Sequence, residues 1–137
     1  MNTQQAIYQN ATGQRNAVSF RVETNTIHEI LLSIGIPPNL LGYMYLVEAL
    51  QMILMNPLYL NHITKGLYID IARKYGSNPS RVERAIRHAI NTAWLRGNIH
   101  VIDRIFMNCV NPEKGVPTNS LFLARLFYYI SNMENSK

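Results

Sequence analysis

The chain has 137 residues, 47% of them hydrophobic and 15% charged, with a formal net charge of +5. That length is one domain able to bury a core unaided, and the composition excludes a disordered protein. A single cysteine, Cys109, excludes an intramolecular disulfide and a cysteine metal cluster, and without a signal peptide or a bilayer-length apolar run the expectation is a cytoplasmic protein with no membrane contact.

Residues 1–23 are polar and lack helical periodicity, although Val18, Phe20 and Val22 alternate with Ser19 and Arg21 in the pattern of a short extended segment. They are expected to form a tail or an arm ahead of a helical domain over 24–137. A first helix is predicted from Thr24 or Asn25 to Ser33, with Ile27, Ile30, Leu31 and Ile34 inward. Gly35 ends it, and Ile36-Pro37-Pro38 forces an extended connection. Asn39 is placed to cap a second helix, Leu40 to Met55, with Tyr43, Leu46, Val47, Leu50 and Leu54 on its apolar face. Glu48 and Gln51 interrupt that run, which reads as a core helix. Asn56-Pro57 breaks it, and Leu58 to Thr64 is predicted as a further short helix.

The stretch from Leu67 to Trp94 reads as two helices and a turn. Ile69, Ala72 and Tyr75 recur at helical spacing, Gly76 supplies a stop, Ser77-Asn78-Pro79 makes the turn, and Ser80 is expected to cap the second of the two helices. Ala72, four residues before the glycine, leaves room for two helices to cross closely. This is the order of a helix-turn-helix, with a turn about one residue longer than the tightest form. In the second helix Val82, Ile86, Ala89 and Ala93 fall on one stripe, with Ala85 and Ile90 at its margins. The opposite side gathers Ser80, Arg84, Arg87 and Asn91, flanked by Arg81, Glu83 and His88. Arginine can grip a guanine edge with two hydrogen bonds, glutamate can accept from cytosine, and asparagine can pair with adenine.

A charge run on one helix is usually a solvated face; behind a helix and a turn, DNA reading becomes the better interpretation. Charge placement agrees. Lys65 to Arg104 holds eight Lys/Arg against Asp70, Glu83 and Asp103, whereas the other five basic residues are balanced by five acidic ones. The excess sits where a phosphate-backbone binder needs it. Lys65, Lys74, Ser77, Ser80, Arg81 and Asn91 are the expected phosphate contacts.

After Trp94, Gly97-Asn98 marks a turn, Ile99 to Met107 a short helix, and Asn111-Pro112 through Gly115 a loop. Pro117-Thr118 opens a last helix to about Asn132, with Leu121, Leu123, Leu126, Phe127 and Ile130 apolar. Its tip, Phe127-Tyr128-Tyr129, either finishes the core or makes a dimer contact. His28, His62, His88 and His100 lack metal-ligand spacing, there is no Gly-rich phosphate loop, and no constellation supports catalysis. The expectation is a non-enzyme without metal or cofactor.

SRVERAIRHAI (Ser80 to Ile90), continued by AWLRGNI (Ala93 to Ile99), resembles the effector domain of the sporulation stage-zero master response regulator, the DNA-binding half of a two-component transcription factor. IGIPPNLLGYMYLVEAL (Ile34 to Leu50), ITKGLYIDIARKYG (Ile63 to Gly76) and KGVPTNSLF (Lys114 to Phe122) agree in the same order. The resemblance implies an all-α domain of about six helices that reads a TGTCGAA-like box in double-stranded DNA through the helix 80–94. It implies Glu83, Arg84, Arg87 and His88 as the base-reading positions, and a contact between Gly97 to Met107 and RNA polymerase sigma factor. The chain departs from the family in two places. Asn39-Leu40-Leu41-Gly42-Tyr43 stands where the family has His-Ile-Lys-Gly-Tyr, and the region after Gly97-Asn98-Ile99 diverges. With only about 24 residues ahead of the first helix, far short of a domain, a standalone protein without a receiver domain is expected. A homodimer, or pairing with the full-length regulator, is the further partner expectation. The alternative function is an interaction protein that modulates that regulator by pairing with it or by competing for its sites.

Overall fold

The computed structural model describes residues 23–107 and 115–135, and among these the regular structure is entirely helical. The helices are α1 (23–34), α2 (Leu41–Met55), α3 (Tyr68–Tyr75), α4 (Pro79–Arg96), α5 (Ile99–Phe106) and α6 (Asn119–Asn135). The expected extended segment around Val18 to Val22, Cys109, and the loop from Asn111 to Lys114 lie outside the described residues.

The all-α expectation with six helices holds. In α1 the spacing of Ile27, Ile30, Leu31 and Ile34 buries all four. α2 is the helix around which the others assemble, touching α3, α4 and α6. Leu46, Ala49, Leu50 and Ile53 along it are sealed from solvent, and each such Leu or Ile contributes roughly 1.5–3 kcal/mol by leaving water. Its polar interruptions are tie points. Gln51 Nε2 donates to Thr24 Oγ1 at 3.0 Å, while Glu48 takes Lys74 Nζ at 2.8 Å and the Tyr75 hydroxyl at 3.0 Å.

Three local expectations need correction. Asn39 does not cap α2: the cap position is Leu40, with no side-chain bond, and Asn39 is exposed. The predicted helix from Leu58 to Thr64 is instead a 3-10 turn, Pro57–Asn61, followed by a π turn, Ile63–Leu67. Asn56 Oδ1 accepts the Leu58 amide at 3.2 Å and starts the first, while the Leu67 amide reaches back to the His62 carbonyl at 2.8 Å and sets the wider second. In α3 the inward residues are Tyr68, Ile71 and Ala72, and the predicted Ile69 and Tyr75 stand partly exposed.

α6 closes the bundle with Phe122, Leu123, Leu126 and Ile130, all fully buried. Phe122 takes the place expected for Leu121, which is exposed, because it joins Trp94 and Phe106 in one aromatic cluster, with ring centroids 5.0–5.9 Å apart. Arg125 Nε donates to the Ile105 carbonyl and holds α5 on α6. Of the tip, Phe127 and Tyr129 are half-buried and Tyr128 is exposed.

Candidate nucleic-acid interface

The candidate surface is one face of α4, and its position follows from how the other face is seated. Gly76 ends α3 at φ +62°, the left-handed conformation that favours glycine. Its amide and that of Ser77 both bond the Ala72 carbonyl, so the chain turns within Gly76-Ser77-Asn78 and lies in the ordinary range for this motif. The cap of α4 is Asn78, not the expected Ser80. Asn78 Oδ1 accepts the Arg81 amide at 3.0 Å, and Pro79 fills the first helical position, where its missing N–H costs nothing.

Val82, Ile86, Ala89 and Ala93 are all fully buried, as their spacing predicts. The contact with α2 is made at Gly42. A Cβ there would run into the Ala85 carbonyl oxygen and stand 2.8 Å from the Ala89 Cβ, so the two helices meet backbone to backbone. At its far end, Gly97 abuts Gly35, and the Asn98 amide donates to the Ile34 carbonyl at 3.0 Å.

Seated this way, α4 turns Ser80, Arg81, Arg84, Arg87, His88 and Asn91 to solvent, with Glu83 at the edge. Arg87 Nη1 and Glu83 Oε1 form an ion pair at 2.9 Å. Both remain more than a third exposed, so the pair is worth well under 1 kcal/mol to the fold. Its effect is on the position of the Arg87 guanidinium.

Glu83, Arg87 and Asn91 form one wall of an open groove of about 420 Å³, faced by Thr64 and by Val116 to Ser120, the segment that leads into α6. A second depression continues past Thr64 and Ser120 to His62 and Lys65. Lys65 is exposed on the π turn. Lys74, on α3, is already paired with Glu48 of α2; that hydrogen bond raises its ammonium above the ordinary lysine range. Ser77 is half-buried. Among the described residues, no group of three His, Cys, Asp or Glu side chains could hold a metal ion, and no helix is long and apolar enough to cross a membrane.

Residues 27–130 match the family model of the sporulation initiation factor Spo0A C-terminal domain. The chain belongs to this family. Spo0A C-terminal domains are DNA-binding regulators of sporulation, so the family supplies the class of function, DNA binding in transcription regulation. The match runs from α1 into α6 and takes in the whole α3–α4 unit.

Two residues that shape this surface escaped sequence reading. Gly42 carried a signal, since a glycine inside an apolar helical run marks close approach of another backbone, but the partner, Ala85, is invisible in sequence. Asn119 carried none beyond its place at the start of a helix. Its Nδ2 donates to the Tyr68 hydroxyl and to the Glu83 carbonyl, both at 3.1 Å. Burial raises the Tyr68 phenol above its ordinary range.

Proposed function

We propose that this chain is a sequence-specific regulator that lays α4 in the major groove of a TGTCGAA-like box, with Glu83, Arg84, Arg87 and His88 on the base edges. The observation that supports it is the division of α4: one side fully buried, the other offering arginine, histidine and asparagine to solvent. Lys65, Ser80, Arg81 and Asn91 would lie along the phosphates, joined by Lys74 and Ser77 from the preceding helix and turn. Gly97 to Met107, where Ile99 and Met107 are exposed, is the surface this reading gives to RNA polymerase sigma factor. A second copy, or the full-length regulator, is the protein partner it allows.

The test is a competition titration of the protein against a box duplex and a scrambled duplex at fixed salt. Lysine keeps the charge of arginine but not its fork. Arg84→Lys and Arg87→Lys should therefore hold most non-specific affinity and lose box preference by roughly 1–3 kcal/mol each. If both variants keep the wild-type ratio, the base contacts lie elsewhere. The alternative, an interaction protein, gains if the purified chain shifts no duplex alone yet alters the complex of the full-length regulator.

A further inference from the structure

We infer that Asn119, on α6, is a positioning residue for DNA reading: it fixes the rotation of α4 by holding the Glu83 carbonyl. This rests on the base-reading role proposed for α4.

Tyrosines apart, Asn119 is the one polar side chain in the buried set of the described residues, 9% exposed. Burying an amide is costly unless it is bonded, and a buried donor is placed where its geometry is used. A single nitrogen, Nδ2, serves two elements. It donates to Tyr68 on α3 and to the backbone of α4 at Glu83. A helix-interior carbonyl has a second lone pair beyond the one its own helix uses, so this bond draws on α4 without breaking its ladder.

The grip falls at a telling residue. Glu83 pairs through Oε1 with Arg87, and both line the groove that opens toward the start of α6. A rotation of α4 about its axis would move Arg84, Arg87 and His88 together relative to a base pair. Gly42 fixes how closely α4 approaches α2, but a glycine contact sets a distance better than an angle. The Asn119 bond lies off that line of contact and sets the angle. α3, α4 and the last helix are thereby keyed to one another at a point none of them supplies alone.

The experiment compares Asn119→Ala and Tyr68→Phe for box-to-scrambled preference, with helix content followed by circular dichroism. Asn119→Ala releases α4 and should lower the preference about tenfold, the scale of one bidentate base contact. Tyr68→Phe removes a buried bond of the same amide but leaves Glu83 held, so its preference should stay within about twofold of wild type even though the fold is weakened. A merely structural role would lower the binding-competent fraction for both duplexes equally and leave the ratio unmoved in either variant. That result, or an equal loss in both variants, overturns the proposal. Should Asn119→Ala not fold, hydrogen exchange of the Asn119 side-chain amide in the wild-type protein decides. Slowing on the box duplex supports the grip, and unchanged or faster exchange there overturns it. A wild-type protein without box preference would instead overturn the base-reading role of α4.

Discussion

α2 and α4 meet at Gly42 and each buries one side, but their outer sides differ in kind. On α2 the exposed positions are Leu41, Met44 and Met55, and its one acid, Glu48, is used internally by Lys74 and Tyr75. On α4 the exposed positions include Ser80, Arg81, Arg84, Arg87, His88 and Asn91, with Leu95 the one exposed large apolar side chain, near its C-terminal end. Exposure alone therefore does not mark a functional face. What separates the two helices is the chemistry left over after internal pairing: α2 offers scattered apolar side chains, and α4 offers several hydrogen-bond donors at one-turn spacing.

The comparison breaks most sharply at the crossing. Gly42→Ala puts a methyl against backbone that cannot move aside and should cost ~3 kcal/mol or more, whereas Met44→Ala, two positions along on the exposed side, should stay within about 0.5 kcal/mol. Urea midpoints would show it, and similar values for the two would refute the close crossing. Ala72→Leu should overpack the buried side of α3 and cost on the order of 1–3 kcal/mol by the same measurement. An unchanged midpoint would remove the crowding inferred there.

Binding sharpens the comparison further. Arg81→Ala should weaken box and scrambled duplexes alike and reduce the salt slope by about one, because one phosphate contact is lost. Lys74→Ala should do less, since Glu48 already holds that ammonium, and affinities across a salt series would separate the two. The smallest effect belongs to Glu83→Ala. It removes a negative charge beside the phosphates, so non-specific affinity should hold or rise slightly while base choice relaxes. A general loss of affinity in this variant would contradict its place at the base edges.

Much of this was readable in the chain. The inner stripe of α4 came directly from spacing, and so did the outward set, because an eighteen-residue helix has enough turns to fix its phase. α3 has eight residues, and two apolar phases fit it. Ile69, Ala72 and Tyr75 satisfy one, and Tyr68, Ile71 and Ala72 the other. The fold buries the second, and there the Tyr68 hydroxyl meets Asn119, a partner far along the chain. The cap was a misreading of a present signal: Asn-Pro-Ser reads as cap, first turn, first turn once proline's preference for the first helical position is applied. The 3-10 and π turns had no periodicity to find.

The seats of α4 are glycines and carbonyls: Gly42 under Ala85, Gly97 against Gly35, and the Glu83 carbonyl under Asn119. None of these uses the side chain of an outward residue. The face that would meet DNA is thus free of structural duty, and substitutions on it need no compensation inside the bundle. Evolution, or a designer, could rewrite positions 84, 87 and 88 and obtain a protein with altered target preference that folds as before. Relatives sharing the same glycine seats could then diverge in the boxes they recognise while remaining superimposable, with target choice and foldedness inherited as separate traits.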